Sequence, residues 1–405
     1  MKFRNIFLAA ILTITCACQC GKDGEPTVEK PEVETPVKAE KTRAVWVPDP
    51  SHSTMLHSYA NLLQKIHVLD QAGVNMLYVC VQARDKVAFD SQVYLANSSY
   101  RDIKQVNMFT PYAASYNIPT KSPTSDPLQD LITEAHKRDM QVVFWFEYGF
   151  MASHGKPSPA FSLLAKHPEW KSQGNDGDQA NYNKTDYYLN SYHEGLQQFM
   201  LDLLKESMTL YPEVDGVQGD DRMPAAPRNS GYDVYTKALY KKEFGVDPPY
   251  DYNNAQWVSW RLKNLNTFAQ KLHKMVKGVG EDKMLCFSPN PYPWCLDKLM
   301  QDWPTWLKNK GVDKLSVQCY RYTTDAYQAT LKEVLKHVSA SGASRKVVNP
   351  GVILWGGSQK MTPEVLRQIL QINRQEGTDG EAFFWEKGFE DAGLNETITD
   401  FYKEK

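Results

Sequence analysis

The chain has 405 residues, enough for one large domain or two ordinary ones, so length alone does not set the number of domains. Its formal net charge is −2, and its Lys and Arg residues are spread along the sequence, which argues against a nucleic-acid surface or a basic patch for anionic membranes. We therefore expect no nucleic-acid partner and a neutral or small ligand.

The N-terminus has the pattern of a cleaved signal peptide. Two basic residues precede an apolar run at 6–17 that is too short to span a bilayer. The run leads into CACQC, and a lipoprotein signal ends at a cysteine that follows small residues. Cys18 follows alanine and fits best, Cys16 is the alternative, and Cys20 follows glutamine and fits poorly. The sequence predicts a lipoprotein signal peptide at 1–17 and acylation of Cys18, which would attach the chain to a membrane of the cell envelope.

Residues 18–41 are rich in Pro and Glu and contain almost no large apolar side chain, so we expect a flexible tether. The three closely spaced N-terminal cysteines lack the His or Cys partners of a metal site. Four other cysteines follow, three of them in apolar strand-like runs: Cys80, Cys286, Cys295 and Cys319. Buried free thiols are expected, although an envelope location would permit a disulfide such as Cys286 with Cys295.

From residue 42 onward, short β-rich runs alternate with longer amphipathic helical patterns. Eight runs are typical of buried strands: 43–47, 75–85, 141–148, 216–221, 284–291, 314–321, 347–355 and 381–386. Helical stretches between them, such as PLQDLITEAHKRD and TPEVLRQILQINRQEG, end in polar residues or Gly that stop a helix. This alternation predicts an α/β fold, a (β/α)8 TIM barrel with extended βα loops over 42–405.

Aromatic residues make up 12% of the chain, and many fall in segments typical of loops, such as NYNKTDYYLNSYH at 181–193 and NPYPW at 290–294. Exposed rings cost solvation free energy unless something covers them, so these loops indicate a stacking surface for the apolar face of a ligand. Ordinary packing of long loops explains the same pattern equally well, and the sequence leaves both interpretations open.

Polar and aromatic side chains cluster at the C-terminal ends of the predicted strands, where barrel enzymes place their sites. Asp220 and Asp221 end the fourth strand. The other residues at such ends are Arg84 with Asp85, Glu147, Asn290, Gln318, Tyr320, Arg321, Trp355, Trp385 and Glu386. The position of these side chains makes them candidates for catalysis and substrate binding.

Side chains along a strand alternate between the barrel axis and the surrounding helices, which sharpens this set. Apolar neighbours that suit the helix side leave a set of inward residues, which in strand order are Gln82, Arg84, Gln218, Asp220, Ser316, Gln318 and Tyr320. Asp221 begins on the opposite face of its strand and reaches the cleft only through the strand end. Polar residues from several strands are thus expected to converge on the barrel mouth.

Each of these assignments has a structural alternative. An Asp at a strand end often caps the next helix or accepts hydrogen bonds from loop amides, and this applies to Asp220 and still more to Asp221. Glu147 and Glu386 lie among large aromatic residues, where a buried salt bridge with a barrel arginine competes with a catalytic role. Arg84 suits a structural partner of such carboxylates, or a ligand clamp, better than a catalyst.

The motifs, taken in order, resemble the glycosyl hydrolase-like 10 family over roughly residues 42–390. The resemblance rests on RAVWV, AGVNMLYVCVQARD, DPLQDLITEAHKRDMQVVFWFEYGFMA, HPEW, VDGVQGDD, WVSWRLKNLNTFAQKL, FSPNPYPW, QDWPTWLKNKGVDKLSVQCYR and the strand from Gly380 to Gly388. Members of this family have a (β/α)8 fold and are thought to cleave glycans, with cell-wall polysaccharide among the suggested substrates. The resemblance therefore implies a glycoside hydrolase that acts on a poly- or oligosaccharide.

The segment DGVQGD also resembles the fourth-strand motif of the α-amylase clan, in which the last Asp is the nucleophile; this analogy gives that role to Asp220. Many members of the first family carry an Asn-Pro pair where this chain has Glu147 and Tyr148, so Glu147 is not the acid of a mechanism common to all of them. DDRMP stands where an aromatic commonly follows the second Asp, so nearby subsite contacts are expected to differ. No carboxylate ends the fifth strand, where the amylase clan keeps its general acid.

Cleavage of a glycosidic bond requires an acid that protonates the leaving oxygen and a second carboxylate that attacks the sugar or activates water. The two groups need different pKa values, set by burial and by neighbouring charges. Asp220 and Asp221 are the expected catalytic carboxylates, and Glu147 or Glu386, among aromatic residues, is the expected acid. The expected substrate-binding residues are Gln82, Arg84, Asn290, Gln318, Tyr320, Arg321, Trp355 and Trp385. No cofactor is expected.

A second interpretation is that the cleft binds carbohydrate but does not catalyse its cleavage. The chain would then be a non-catalytic carbohydrate-binding lipoprotein on the same barrel, holding glycans by aromatic stacking and hydrogen bonds to hydroxyls. A metal-dependent deacetylase or phosphodiesterase would need clustered His and Asp ligands, and the nine histidines show no such spacing on strand ends. We therefore expect no metal.

Overall fold

A computed structural model describes residues 41–158 and 160–404. Its central parallel sheet consists of β1 (Thr42–Val47), β2 (Met76–Ala83), β3 (Gln141–Phe146), β4 (Gly216–Asp220), β5 (Met284–Ser288), β6 (Lys314–Leu315), β7 (Gly351–Ile353) and β8 (Gly380–Phe384). Neighbouring strands follow the order β6-β5-β4-β3-β2-β1-β8-β7. The short strand Lys86–Val87 adds to β2 in antiparallel orientation.

The sheet closes on itself between β6 and β7. Leu315 forms an isolated parallel bridge with Val348, and the Gly351 amide donates to the Val317 carbonyl (2.8 Å). Because every other neighbouring pair of strands is joined by a regular ladder, this junction completes a barrel. The structure confirms the predicted (β/α)8 fold.

A helix follows each strand and covers its outer face. These helices are α1 (Tyr59–Gln71), α2 (Pro127–His136), α3 (Glu194–Leu210), α4 (Ala255–Val279), α5 (Trp303–Lys308), α6 (Thr324–Ala340), α7 (Pro363–Glu376) and α8 (Ala392–Lys403). Their buried faces carry the apolar residues of the helical periodicity, for example Leu366, Ile369 and Leu370 of α7.

The βα loops contain further elements. Short helices lie at Gln92–Asn97, Ile103–Val106, Ser162–Lys166, Val234–Phe244 and Trp294–Leu299, and 3-10 turns at Met55–His57, Thr110–Tyr112, Pro168–Trp170, Arg345–Val347 and Glu386–Glu390. The loop after β3 forms a three-stranded antiparallel sheet of Met151–His154, Asp186–Tyr188 and Asn181–Tyr182, which we call the loop-3 sheet. A hairpin of Trp355–Gly356 and Gln359–Lys360 follows β7.

The barrel interior is polar as well as aromatic. Tyr78 Oη, Ser316 Oγ and Asn349 form a closed triangle of hydrogen bonds of 3.0 to 3.1 Å. In the same interior, Trp46 Nε1 donates to Gln218 Oε1 (2.8 Å). Ser316 and Gln218 therefore point inward, as the alternation of side chains predicted.

The two closing strands are shorter than predicted. The sequence indicated strands at 314–321 and 347–355, whereas regular pairing covers only Lys314–Leu315 and Gly351–Ile353. The amides of Ser316 and Gln318 still donate to Phe287 and Pro289 carbonyls (2.8 and 2.9 Å), so the chain continues upward without a full ladder. Pro289 and Pro350 lack the amide hydrogens that regular pairing would use.

Charged groups connect elements at the other end of the barrel. Lys314 Nζ lies 2.7 Å from Asp379 Oδ2 and 2.7 Å from Thr42 Oγ1, which ties β6 to the starts of β8 and β1. On the outer face, Tyr402 of α8 donates a hydrogen bond to Glu381 of β8, which is buried. Burial raises the pKa of Glu381 to about 7.

The predicted signal peptide (1–17), nearly all of the predicted tether (18–41) and Cys18 with its neighbouring cysteines lie outside the described residues. Across 41–158 and 160–404, no helix combines the length and apolar character needed to cross a bilayer. Cys80, Cys286, Cys295 and Cys319 are free and buried. The disulfide that the sequence left open between Cys286 and Cys295 is therefore not formed.

Candidate active site

Arg222 lies at the centre of an acidic cluster formed by the ends of β3 and β4. Its Nη1 atom is 2.8 Å from Asp220 Oδ2, 3.5 Å from Asp221 Oδ1 and 3.1 Å from the backbone oxygen of Glu147. The guanidinium carbon also lies 5.6 Å from the ring centroid of Tyr148, within range of a cation–π interaction. We call Asp220, Asp221, Glu147 and Arg222 the carboxylate cluster.

Gly149 holds the loops after β3 and β4 together. Its φ is +49°, and a Cβ at this position would lie 2.5 Å from Met223 Cβ and 2.9 Å from the Arg222 carbonyl oxygen. That carbonyl accepts a hydrogen bond from the Phe150 amide (3.1 Å), and the Gly149 amide donates to Gln82 Oε1 (2.8 Å). Glycine is the residue that fits both the backbone angle and the contact, so it helps to fix the position of Arg222.

Asp220 is almost completely enclosed, with 1% of its surface exposed. Its Oδ1 accepts a hydrogen bond from the Arg222 amide (2.9 Å), so the loop-amide alternative also applies to this residue. Burial raises the pKa of Asp220 well above its usual range, the Arg222 guanidinium opposes the rise, and the negative charges of Asp221 and Glu147 add to it. Both carboxylate oxygens thus contact Arg222, one through its side chain and one through its backbone.

Asp221 is the more accessible of the adjacent pair, with 20% of its side chain exposed. Its Oδ2 accepts a hydrogen bond from Asn290 Nδ2 (3.0 Å), and Asn290 follows β5. The Asn290 carbonyl in turn accepts a hydrogen bond from Trp303 Nε1 (3.3 Å). Although Asp221 starts on the opposite strand face, the strand end brings it beside Arg222, and Asn290 orients its carboxylate.

Glu147 is partly buried at the end of β3, and Cys80 Sγ lies 3.5 Å from its Oε2 atom. Burial raises the pKa of Glu147; the Arg222 guanidinium lowers it, and the Asp49 carboxylate raises it further. The barrel arginine expected as an alternative partner is thus present, although it bonds the Glu147 backbone rather than its carboxylate.

Glu386 lies apart from the carboxylate cluster. It is 3% exposed, and its carboxylate accepts hydrogen bonds from Ser53 Oγ (2.6 Å) and from Lys65 Nζ of α1 (3.0 and 3.1 Å). Lys65 also contacts Glu390 (2.8 Å). The salt-bridge alternative therefore forms, with a helix lysine in place of a barrel arginine, and this carboxylate is already satisfied by the packing of α1 on the turn after β8.

Three of the predicted substrate-binding residues lie within the barrel mouth. Gln82 is buried, and its Oε1 atom accepts a hydrogen bond from the Gly149 amide. Gln318 donates to the Ser288 carbonyl (3.0 Å). Tyr320 packs on Phe384 (5.0 Å between ring centroids), and its pKa is raised by burial and by the charges of Asp221 and Asp220. Tyr320 therefore stands within electrostatic range of the acidic pair, and Gln318 bonds Ser288, the strand partner of Asp220.

The remaining predicted contacts lie at the rim. Arg84 has 54% of its side chain exposed and donates to Ser51 Oγ (3.0 Å), and Arg321 is exposed. Trp355 and Trp385 both lie near the ammonium of Lys387, at 4.5 and 5.9 Å. The structure brings Asp220, Asp221, Glu147, Asn290 and Tyr320 together and leaves Glu386, Arg321, Trp355 and Trp385 outside their direct contacts.

Asp49 belongs to the mouth and was missed by the sequence analysis. It is 4% exposed, lies two residues beyond β1, and accepts hydrogen bonds from the Ser51 amide (2.8 Å) and His52 Nδ1 (2.8 Å). These contacts lower its pKa against the effect of burial. Its position two residues beyond the first strand is the signal in the sequence that indicates this role, since the other carboxylates of the mouth also follow strand ends. In the part of the chain that the structure describes, no group of three or more His, Cys, Asp or Glu side chains is arranged to hold a metal ion.

Solved structures share this fold at low sequence identity. An α-L-fucosidase (isoenzyme 2) from Paenibacillus thiaminolyticus matches 90% of this chain and 49% of its own, with a TM-score of 0.60 and 13% identity. A cold-adapted β-galactosidase from Rahnella sp. R3 matches 90% of this chain and 56% of its own, with a TM-score of 0.58 and 11% identity. At such identities the likeness shows the fold alone.

Sequence relatives give the family. Curated relatives from Escherichia coli O6:H1 and K12, each described as glycosyl hydrolase DigH, are 21% identical to this chain over 318 and 308 residues. The alignments cover 71% and 68% of this chain but only 64% and 62% of the relatives, so this chain spans less than two thirds of their length. The family model for glycosyl hydrolase-like 10 matches residues 41–368. The chain belongs to the glycosyl hydrolase-like 10 family.

Proposed function

We propose that this chain is a glycoside hydrolase that cleaves O-glycosidic bonds of a poly- or oligosaccharide. The observation that carries the proposal is the carboxylate cluster at the C-terminal ends of β3 and β4. Two carboxylates contact one guanidinium there, and the same guanidinium bonds the backbone oxygen of Glu147, at the position where barrel enzymes carry out their chemistry. Family membership supports the same reaction class.

The cluster meets the proton requirement of this reaction. Full ionisation would place three negative charges around one positive charge in a largely enclosed space. Burial raises the pKa of both Asp220 and Glu147, and the Glu147 charge adds to the rise at Asp220. The cluster therefore retains a proton at a higher pH than isolated carboxyls do, as the general acid of glycoside cleavage must.

We assign the roles from exposure and contacts. Asp221 is partly exposed and oriented by Asn290, so it is placed to meet the sugar or its attacking water. Glu147 has a raised pKa and its carboxylate contacts the Cys80 thiol instead of a guanidinium, so it supplies the proton. Asp220, ranked first from the sequence, is enclosed by Arg222 and acts by holding that guanidinium in place.

A second candidate is a non-catalytic carbohydrate-binding protein on the same barrel. It is favoured by one observation: both oxygens of Asp220 already contact Arg222, so this carboxylate is not free in the structure. In such a protein the cluster would only accept hydrogen bonds from sugar hydroxyls.

The two candidates are separated by an assay for new reducing ends. The full chain is incubated with a panel of cell-wall, plant and host glycans, and Asp221→Asn is compared with Asp325→Asn, a matched change at an exposed carboxylate on α6. If the chain is a hydrolase, wild type and Asp325→Asn should release new reducing ends. Asp221→Asn should release none and should still bind the glycan. Binding without any cleavage by wild type supports the second candidate.

The N-terminal sequence adds a location to this proposal. The basic residues, the short apolar run and the cysteine after alanine support a lipid anchor at Cys18 and attachment to the cell envelope, which would place the site near cell-wall glycan. A fatty-acid analogue supplied to cells should label the full chain and the Cys16→Ala variant but not Cys18→Ala. Equal labelling of Cys18→Ala and wild type would move the anchor to another residue.

A further inference from the structure

We propose that Tyr182 and Trp294 form a second sugar-binding position beside Asp221, so that the chain acts on oligosaccharides of several units in preference to single glycosides. This inference rests on the proposed function and specifies its substrate class. It also separates the two explanations that the sequence left open for the aromatic-rich loops.

The two rings come from different loops and meet at a corner. Tyr182 belongs to the loop-3 sheet, and Trp294 opens the short helix after β5. Their ring centroids are 5.4 Å apart and their planes are inclined by 81°. Trp294 remains 38% exposed, although it is one of the largest apolar side chains. One of two nearly perpendicular aromatic rings can stack on the C–H face of a pyranose ring. The other ring can then contact the edge of the same sugar.

This corner adjoins the carboxylate cluster on the β5 side. The charge of Asp221 acts on Tyr182, whose pKa is raised by burial and by the charges of Asp186 and Asp221. Trp294 follows Asn290 by four residues, and Asn290 Nδ2 holds Asp221 at 3.0 Å. Four residues span at most roughly 14 Å, so a glycan bound at Asp221 reaches the corner with its neighbouring units.

The corner is built on a supported element. Tyr182 pairs with Asp186 in the loop-3 sheet, and Asp186 Oδ1 lies 2.7 Å from His154 Nδ1 on the adjacent strand. Tyr188 of the same sheet is buried close to Asp221 and Arg222, whose charges shift its pKa in opposite directions after burial has raised it. The sheet thus positions Tyr182 relative to the cluster by hydrogen bonds and packing.

The alternative is that the two rings only pack the loops together. A packing role predicts lower stability for the alanine variants and an unchanged preference for chain length. A binding role predicts the reverse, because more than a third of the Trp294 surface stays open to solvent or ligand although the ring also contacts Tyr182.

The experiment measures binding and cleavage as a function of chain length. Tyr182→Ala, Trp294→Ala and the conservative Trp294→Phe are compared with Phe244→Ala, a control at a ring that is also 38% exposed but lies at the end of the helix Val234–Phe244. Each variant is tested by affinity electrophoresis against soluble glycans, and by reducing-end release from oligosaccharides of two to eight units and from aryl monoglycosides. Thermal unfolding is recorded for every variant.

We expect the two alanine variants to lose about tenfold in affinity and in kcat/KM for the longer oligosaccharides, equivalent to about 1.4 kcal/mol. Rates on monoglycosides and unfolding temperatures should stay at wild-type levels, and Trp294→Phe should restore most of the loss. Weaker binding in these variants without any cleavage by wild type would support the corner and contradict the hydrolase proposal. An unchanged chain-length profile, or wild type that retains no glycan of three or more units, would overturn the corner.

Discussion

At the scale of single residues, Arg222 determines how charge is shared at the barrel mouth. Its guanidinium contacts two carboxylates directly and a third residue through the backbone. A guanidinium stays protonated throughout the physiological range, so the pH response of the cluster depends on its carboxylates. The side-chain exposures of 1% for Asp220 and 20% for Asp221 then distinguish an enclosed partner of Arg222 from a carboxylate that solvent can reach.

The first prediction concerns the two proposed catalytic carboxylates, Asp221 and the general acid Glu147. Asp221→Asn should lower kcat by about 10³-fold or more, because it removes the charge that meets the sugar and keeps the shape of the side chain. Glu147→Gln should abolish the loss of activity that wild type shows on raising the pH, since that limb reports deprotonation of the acid, whose pKa burial raises. pH–rate profiles measure both effects. Wild-type rates in Asp221→Asn would return the principal role to Asp220.

A second residue-scale prediction concerns Glu386. Glu386→Gln should reduce the free energy of unfolding by about 1 to 2 kcal/mol, because Lys65 loses one of its two carboxylate partners and keeps the other, Glu390. Its kcat should stay within a small factor of wild type, since the salt bridge lies outside the carboxylate cluster. Urea unfolding and glycan cleavage measured on the same samples distinguish the two effects. A kcat loss as large as that of Asp221→Asn, with normal stability, would contradict this assignment.

Sequence could identify Glu386 as a carboxylate at a strand end but could not identify its partner. Lys65 is more than three hundred positions away along the chain, and only the packing of α1 beside β8 brings it to Glu386. The same limit explains Asn290: its amide holds Asp221, a contact that depends on two loop conformations. Residue type and strand position predicted several of the residues at the mouth, whereas the pairing of their side chains could be identified only from the structure.

At the scale of elements, alternation along the strands gave correct inward faces for Gln218 and Ser316, because a barrel strand has only two faces. The loop-3 sheet was not predicted. Its strands are two to four residues long and rich in polar residues, so they lack the periodicity that identifies a strand. The short β6 and β7 were overestimated because apolar residues continue past the end of their pairing.

The contact between the β3 and β4 loops gives an element-scale prediction. Gly149→Ala should cost at least about 2 kcal/mol of unfolding free energy, from the positive φ together with the collision with Met223 and Arg222. Gly155→Ala in the same loop is the matched control, since Gly155 also has a positive φ but nothing lies within 4 Å of the added Cβ. We expect Gly155→Ala to lose only the share of unfolding free energy that comes from the positive φ. Gly149→Ala should lose more stability and also activity, because Arg222 is displaced. Equal effects of the two changes would exclude the packing contribution.

The contact between β8 and α8 gives a pH prediction. Burial raises the folded-state pKa of Glu381 to about 7 from its ordinary value of 4.5. The folded chain therefore holds a proton that the unfolded chain releases, so this group's contribution to stability is full below pH 4.5 and is lost as the pH rises through about 7. Glu381→Gln, which cannot ionise and still accepts from Tyr402, should be more stable than wild type at pH 8 by up to about 3 kcal/mol and closer to it at pH 5. Thermal unfolding at the two pH values measures the difference, and a wild type that gains stability relative to Glu381→Gln on going to pH 8 would reverse the sign.

At the scale of the whole molecule, eight alternations of strand and helix were sufficient to predict the barrel and the end of it that carries the site. That success follows from the connectivity, since parallel strands joined by helices bring all of their C-terminal ends to one face. The composition of the mouth was predictable only in part, because Asp49 was missed and Glu386 pairs with Lys65 away from the carboxylate cluster. The corner of Tyr182 and Trp294 was not, because it joins two loops whose paths are set by tertiary packing.

The junction between β6 and β7 is the place where the fewest hydrogen bonds resist separation. The ladder from β6 through β5, β4, β3, β2, β1 and β8 to β7 is continuous, whereas this junction relies on an isolated bridge and nearby single bonds. At the lower end of β6, Lys314 contacts Asp379 and Thr42 and holds the strand in place. The contact between β6 and β7 is therefore weakest near the mouth. The strand junction with the fewest hydrogen bonds therefore lies between β6 and β7, on the mouth side of Lys314. In native-state hydrogen exchange, the Gly351 amide should accordingly exchange before the amides between β2 and β3.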